Sequence, residues 1–141
     1  MKVPRRKYSA SAVIALMFLA AGTFVLFLER DPGVKKLTVA QAVDLVTRDS
    51  SAILIDVRTP EEWKGESGHL RNALLIPLAD LSERLPELEQ YRSRPIVVYC
   101  RSGNRSGKAA RILIDHGFDA FNMTGGMRQW NARGYPVIRE Q

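Results

Sequence analysis

Two short runs of apolar residues set the strongest constraint on the fold of this chain. They read AILIDV at positions 52–57 and PIVVYC at positions 95–100. A strand with one buried face alternates apolar and polar residues, whereas a continuous apolar run fits a strand that is covered on both faces. Strands of that kind belong mainly to parallel sheets with helices on either side. The two runs therefore favour an α/β fold.

The segments around these runs fit the same fold. Thr38 and Gln41 form a capping-box pattern, which predicts a helix from Val39 to Thr47. Further helices are predicted near 78–85 and 105–116, and shorter strands near 73–76 and 120–123. Strands that alternate with helices imply a central parallel sheet flanked by helices.

An uncharged apolar run of 19 residues at positions 10–28 precedes this pattern. At about 1.5 Å per residue, a helix of that length spans close to the roughly 30 Å of a bilayer's hydrocarbon core. A cleaved signal peptide has a shorter apolar region that ends in a small-x-small site, and here further apolar residues follow the small cluster at 20–22. The sequence favours one N-terminal transmembrane helix, with a signal peptide as the alternative.

Basic residues before this run predict its orientation. The net charge of the chain is +6, and four basic residues supply much of it: Lys2, Arg5, Arg6 and Lys7. Such residues tend to stay in the cytoplasm, so the domain after the anchor is expected on the periplasmic or extracytoplasmic side. The expected segments are a basic cytoplasmic N-terminus at 1–9, a bilayer anchor at 10–28, a linker at 29–36 and a domain at 37–141.

A second group of basic residues lies further along the chain, at Arg101, Arg105, Lys108 and Arg111. Outside the two groups the remaining charges sum to a slightly negative value. Nucleic-acid-binding surfaces spread Lys and Arg along a face together with aromatic or polar readers. This sequence shows no such pattern, and we expect no nucleic-acid partner.

The chain contains one cysteine, Cys100, and two histidines, His69 and His116. A single cysteine cannot form an intramolecular disulfide or a Cys-x-x-Cys pair. These residues are too few for a tetrahedral zinc site, and neither a metal nor a cofactor is expected. Cys100 is therefore either a buried packing residue or a nucleophile.

The residues that follow Cys100 favour a nucleophile. Reactive groups of open α/β sheets lie beyond the carboxyl ends of strands, and Cys100 ends a predicted strand. The next residues, RSGNRSG, are mostly small, so the backbone can curl and point successive N–H groups inward, with Arg101 and Arg105 beside them. Amides, helix dipole and cations together are expected to lower the pKa of the Cys100 thiol. A packing role would leave this loop and its arginines unexplained.

Asp56 and Arg58 stand at the end of the first apolar run. A carboxylate and a cation at the end of a buried strand are expected to form a supporting ion pair near the site. A direct catalytic role for either residue is the weaker interpretation.

Four motifs extend along the chain: ILIDVRTPEEW at 53–63, GHLRNALLIP at 68–77, CRSGNRS at 100–106 and GGMRQWNARGYPV at 125–137. Together they resemble the signatures of the rhodanese family, and the resemblance covers roughly residues 37–138. Two departures concern a turn near the site. Arg71 and Asn72 stand where the family usually has Pro-Gly, and the stretch at 63–68 is about two residues longer than is typical.

The resemblance implies a rhodanese-like fold and ping-pong sulfur transfer. With the predicted anchor at 10–28, the expected protein is a single-domain, membrane-anchored sulfurtransferase. In that reaction the Cys100 thiolate takes the outer sulfur of an anion such as thiosulfate, and a thiol or cyanide then accepts the sulfur from the persulfide. Arg101 and Arg105 would attract the anionic donor. Four further residues would shape the loop and bind anionic groups: Ser102, Gly103, Asn104 and Ser106.

Two other functions stay open. Cysteine phosphatases and arsenate reductases also hold a thiolate in a loop that ends in Arg, but they place five residues between Cys and Arg, whereas four separate Cys100 from Arg105. A smaller loop favours a sulfur atom over a tetrahedral oxyanion. The second alternative is a non-catalytic interaction module of the same fold at the membrane, against which the presence of Cys100 argues.

Overall fold

The computed structural model describes residues 33–139. Within them the strands are β1 (Lys35–Leu37), β2 (Ile53–Asp56), β3 (Leu74–Leu75), β4 (Ile96–Tyr99) and β5 (Ala120–Met123). They form one sheet in the order β1-β5-β4-β2-β3, and all neighbouring strands are parallel. The two apolar runs supply β2 and β4, which are adjacent inner strands, so the predicted central parallel sheet is confirmed.

The helices are α1 (Val39–Arg48), α2 (Pro60–Lys64), α3 (Leu81–Arg84), α4 (Asn104–Asp115) and α5 (Gly126–Ala132), with a 3-10 helix at Leu85–Tyr91. The capping box before α1 is confirmed. Thr38 Oγ1 accepts the N–H of Gln41 at 3.3 Å, and Gln41 Oε1 accepts the N–H of Thr38 at 2.8 Å. These bonds satisfy N–H groups that have no partner inside the helix.

The strand β4 explains why the apolar runs are continuous. Ile96 and Val98 pack into a cluster with α4, whereas Val97 and Tyr99 pack into a second cluster with α1 and α5. All four side chains are 0% exposed. Because successive side chains of a strand point to opposite faces, a sheet with helices on both faces buries every residue of its central strand.

The helix predicted near 78–85 is wrong in its extent. The α-helical part begins only at Leu81 and ends at Arg84, and the chain continues as the 3-10 helix. Pro86 lacks an N–H to donate to the carbonyl group four residues earlier, and its ring clashes with that carbonyl. The α-helix therefore cannot extend through this position.

The predicted linker at 29–36 overlaps β1, which begins at Lys35. This strand lies at the edge of the sheet, where charged residues are common and apolar patterning is weak. Lys35 Nζ forms a 2.7 Å ion pair with Asp119 and lies 5.0 Å from the centre of the Phe121 ring. Pairing with β5, rather than burial of side chains, places this segment in the sheet.

The turn at 71–72, where the sequence departs from the usual Pro-Gly, keeps a left-handed backbone. Asn72 has φ of +60°, and no other residue except glycine has a positive φ within residues 33–139. Asn adopts this conformation more readily than most residues because its side chain can bond locally. The substitution of Asn for Gly is therefore compatible with the same turn.

The predicted transmembrane anchor at 10–28 and the basic segment at 1–9 lie outside the described residues. In the part of the chain that is described, no helix has the length and apolar character needed to cross a membrane.

Candidate active site

The residues predicted for the site meet at the carboxyl ends of β2 and β4. Cys100 directly follows β4, and the chain from Cys100 to Ser106, here named the Cys100 loop, curls into the first turn of α4. Gly103 has φ of +104° at the start of that helix, a left-handed conformation that side chains strongly disfavour. A Cβ there would also lie 3.2 Å from Gly125 N, so the tight turn requires glycine.

The sulfur of Cys100 lies inside the Cys100 loop and accepts hydrogen bonds from it. The N–H of Gly103 donates to Sγ at 3.1 Å, and Ser106 Oγ lies 3.4 Å from Sγ. Burial raises the pKa of the thiol, but the Ser106 hydroxyl and the N–H groups of Ser106, Gly103 and Ser102 together lower that pKa below its ordinary value. Hydrogen bonds to a thiolate favour the charged form and outweigh the cost of burial here.

Asn122 on β5 fixes the Cys100 loop, and the sequence analysis missed it. Its side-chain Oδ1 accepts the Ser106 hydroxyl at 2.6 Å, and its Nδ2 donates to Gly103 O at 3.0 Å. The side chain is buried at 5% exposure. A polar residue inside the otherwise apolar strand AFNM was the available signal, because a buried amide needs partners.

From the sequence we expected Arg105 to stand free beside the sulfur, but its guanidinium is paired. Its guanidinium makes two 2.7 Å hydrogen bonds to the Glu62 carboxylate of α2, and both side chains are about one-third exposed. These bonds, with a smaller contribution from the N–H of Thr59, lower the pKa of Glu62. Glu62 therefore neutralises much of the charge that Arg105 would present to an anion.

Glu62 was missed although a local pattern marks it. Thr59 and Glu62 form a capping box at the start of α2, with each side chain bonded to the other residue's N–H at 3.3 Å. The pattern of Thr followed three residues later by Glu predicts such a cap. It does not reveal that the same carboxylate also reaches Arg105, which is 43 positions away in the chain.

Asp56 and Arg58 form a fully buried ion pair. Arg58 Nη2 lies 2.7 Å from Asp56 Oδ2, and the two side chains are 1% and 0% exposed. Arg58 also donates to Ser67 Oγ at 2.8 Å and to Gly68 O at 2.7 Å. The pair thus ties the end of β2 to the turn at 67–68, and a part in the reaction stays a prediction.

Helix α5 binds the carbonyl groups at the start of the Cys100 loop. The N–H of Met127 donates to Cys100 O at 2.9 Å, and the N–H of Arg128 donates to Arg101 O at 3.0 Å. Gly126 has φ of +51°, and a Cβ at this position would overlap Cys100 O. Arg101 O belongs to the peptide group that carries the N–H of Ser102, so this contact orients one of the N–H groups that lower the pKa of Cys100.

The remaining predicted residues lie at the outer side of the Cys100 loop. Arg101, Ser102 and Asn104 are exposed, and Asn104 begins α4 rather than belonging to an irregular loop. His69 is buried and bonds Leu70 O through Nδ1 at 3.2 Å, while its ring stacks on Trp63 with centroids 3.6 Å apart. Its backbone forms an isolated antiparallel bridge with Ile138, which ties this turn to the end of the described chain. Across residues 33–139, no cluster of His, Cys, Asp and Glu could hold a metal.

Fold and site together define an α/β protein with a cysteine sulfur held by the amides of a short loop. The chain belongs to the rhodanese-like domain family, whose model matches residues 38–133. It is also similar to a solved rhodanese-related protein from Thermoplasma volcanium, with a TM-score of 0.67 and 30% identity, covering 75% of this chain and 99% of that one.

Several curated proteins share this domain. The protein named Sulfurtransferase from Allochromatium vinosum is 34% identical over 87 residues, which are 61% of this chain and 78% of that protein. Protein YqhL of Bacillus subtilis is 39% identical, and the match covers 58% of this chain and 63% of YqhL. A tRNA uridine(34) hydroxylase of Pectobacterium carotovorum is 34% identical, over 70% of this chain and 30% of the hydroxylase. The match thus spans less than two-thirds of the last two proteins.

We predict that Ser106→Ala raises the pKa of Cys100, because the hydroxyl bond to the thiolate is lost. A thiol whose pKa is lowered stays ionised to lower pH, so the pH profile of Cys100 alkylation should shift to higher pH in the variant. At neutral pH the alkylation rate is expected to fall about fivefold, the effect of one hydrogen bond. Iodoacetamide labelling followed by mass spectrometry measures it.

Ser102→Ala is the matched control for that measurement, since it removes an exposed hydroxyl and keeps the N–H group that faces the sulfur. Its profile should match that of the unmodified chain. An unchanged profile in Ser106→Ala would show that the hydroxyl serves only Asn122.

Proposed function

We propose that the chain is a sulfurtransferase that carries a sulfane sulfur from thiosulfate or a similar donor to a thiol or cyanide acceptor through a persulfide on Cys100. The observation that carries this proposal is the hydrogen bonding of the Cys100 sulfur by Gly103 N–H and the Ser106 hydroxyl. The relative from Allochromatium vinosum that is named Sulfurtransferase supports the same class of reaction.

The first half-reaction needs an ionised Cys100. The thiolate attacks the outer sulfur of thiosulfate, a new S–S bond forms, and the old S–S bond breaks with its electron pair leaving on sulfite. Charge is conserved, because the monoanionic thiolate and the thiosulfate dianion give a monoanionic persulfide and the sulfite dianion. The N–H groups of the Cys100 loop then hydrogen-bond the bound sulfur and the departing anion.

The second half-reaction returns Cys100 to its thiolate. The anionic persulfide first takes one proton from solvent. An acceptor thiolate then attacks its outer sulfur, and the bond between that sulfur and Cys100 Sγ breaks. With one cysteine in the sequence, the acceptor must come from outside the chain. No change in the redox state of a cofactor is needed.

The size of the Cys100 loop supports sulfur transfer over phosphoryl or arsenate chemistry. Four residues separate Cys100 from Arg105, and the loop closes far enough for Gly103 N–H to reach Sγ itself at 3.1 Å. A tetrahedral oxyanion needs room for several oxygen atoms between amides and sulfur. The Arg105 guanidinium, which would otherwise bind such an anion, is also hydrogen-bonded to the Glu62 carboxylate.

Incubation of the full chain with thiosulfate is expected to add about 32 Da to Cys100, the mass of one sulfur atom, and to release one equivalent of sulfite. Mass spectrometry without reductant measures the adduct, and Cys100→Ser should show none. Turnover of an aryl phosphate without an adduct would instead indicate a phosphatase. Absence of both activities would favour a non-catalytic module.

Glu62→Gln is expected to lower the KM for thiosulfate about threefold at low ionic strength, because it frees the charge of Arg105 beside an anionic substrate. Glutamine at this position still fits the capping box of α2, so the helix should persist. The gain should disappear in 1 M salt, where charges are screened over about 3 Å. Steady-state kinetics with cyanide as the acceptor measures it.

Glu61→Gln is the matched control, because it removes the same charge from the same helix without touching Arg105. It should leave the KM unchanged. If the KM of Glu62→Gln instead rises at both ionic strengths, the role of Glu62 is to hold Arg105 in a required position.

We further propose that residues 10–28 anchor the chain in the bilayer and that the domain lies on the extracytoplasmic side. The support is the length of the apolar run and the basic residues before it. An anchor of this kind would keep sulfur transfer close to the membrane.

Topology can be tested with one exposed thiol. In a Cys100→Ser background, Ala40→Cys places a thiol on the exposed side of α1. A charged maleimide that crosses the outer but not the inner membrane should label it equally in intact and lysed cells. Labelling only after lysis would place the domain in the cytoplasm.

A further inference from the structure

A cleft of about 320 Å³ lies beside the Cys100 loop. Its walls come from the side chains at positions 58, 62 and 67, from Arg101 of the Cys100 loop and from positions 127, 128 and 131 of α5. Its volume falls at the lower end of the range for small-molecule sites, roughly 300 to 1,000 Å³. We name it the Arg128 cleft, after one of the residues that line it.

The charges on the walls of the Arg128 cleft do not balance. Arg58 is paired with Asp56, and Glu62 is paired with Arg105. Arg101 and Arg128 are exposed, and within the described range neither guanidinium has a hydrogen-bond or ion-pair partner. Two positive charges therefore remain for a ligand, which is the arrangement that binds carboxylates.

The backbone connects this cleft rigidly to the reacting residue. Arg101 follows Cys100 in the chain, and the N–H groups of Met127 and Arg128 donate to the carbonyl groups of Cys100 and Arg101 at 2.9 and 3.0 Å. The opposite wall is also fixed, since Arg58 donates to Ser67 Oγ and Asn131 Nδ2 donates to Ser67 O at 3.1 Å. A group bound here would keep a constant position relative to the sulfur.

Cys100 itself does not line the Arg128 cleft, so the cleft fits the acceptor better than the donor. Thiosulfate is a five-atom anion whose reacting sulfur must enter the Cys100 loop, and it does not need a further cavity. An acceptor thiol must place only its sulfur at the persulfide, and the rest of its molecule needs a place nearby.

We propose that the Arg128 cleft binds the carboxylates of a small anionic thiol, which is the sulfur acceptor, and that Arg128 determines this specificity. The proposal rests on the proposed sulfurtransferase function. In the step concerned, R–S⁻ attacks the outer sulfur of Cys100–S–SH. The products are R–S–SH and the Cys100 thiolate, so atoms and charge balance.

The test isolates the second half-reaction. The full chain in neutral detergent is loaded with sulfur, freed of donor, and mixed with mercaptosuccinate, a dicarboxylate thiol, or with uncharged 2-mercaptoethanol. Arg128→Gln should lower the rate constant for mercaptosuccinate about fivefold and leave that for 2-mercaptoethanol unchanged, as expected for one partly exposed ion pair. Arg133→Gln, also exposed and near the end of α5, should affect neither.

Two results would overturn the proposal. Equal losses with both acceptors would mean that Arg128 supports the structure, and equal losses in both variants would mean that only the general positive field matters. Calorimetric titration with S-methyl mercaptosuccinate, which cannot react, provides a second measurement, in which Arg128→Gln should weaken binding about fivefold. Failure to form a persulfide would overturn the sulfurtransferase function, and the titration would still decide whether the cleft binds carboxylates.

Discussion

The geometry of the site depends on two hydrogen bonds made by the side chain of Asn122. From β5 it reaches the middle and the end of the Cys100 loop, donating to Gly103 O and accepting the Ser106 hydroxyl. A hydroxyl carries one proton, so Ser106 can donate to Asn122 Oδ1 or to the Cys100 sulfur, but not to both at once. With a neutral thiol, the S–H can donate to Ser106 Oγ while the hydroxyl bonds Asn122. When Cys100 is a thiolate, rotation of the Ser106 hydroxyl breaks its bond to Asn122 Oδ1 and forms a bond to the sulfur.

The orientation of the peptide groups follows from a second set of contacts. Helix α5 takes the carbonyl groups of Cys100 and Arg101, and the left-handed backbone of Gly126 allows the helix to approach that closely. A peptide group whose oxygen is bound on one side presents its N–H on the other. The hydrogen bonds to the sulfur thus depend on backbone that two neighbouring elements, β5 and α5, hold in place, which is how proteins keep a site preorganised.

The sequence was sufficient for strands β2 to β5 and for helices α1 and α4, because these elements rest on local patterns. Continuous apolar runs indicate strands buried on both faces, and the Gly/Ser loop after β4 indicates Cys100 as the candidate nucleophile. The contacts of Asn122 with Ser106 and of Glu62 with Arg105 join residues that are 16 and 43 positions apart. These contacts depend on the order of the strands in the sheet and on where each helix starts. No local sequence pattern predicts the strand order or the helix starts. Short elements such as α2 and α5 likewise lack enough residues to show a helical period.

The arginines of the site divide into two groups with different physical roles. Arg58 and Arg105 have carboxylate partners, so most of their charge is compensated and what they contribute is geometry. Arg101 and Arg128 have exposed guanidinium groups, and they contribute a positive electrostatic field. Hydrogen bonds lower the pKa of Cys100, and among the described residues no carboxylate pairs with Arg101 or Arg128. In the proposed mechanism their charge selects anions, so that the chemistry of the thiolate and the choice of its partners rest on different residues.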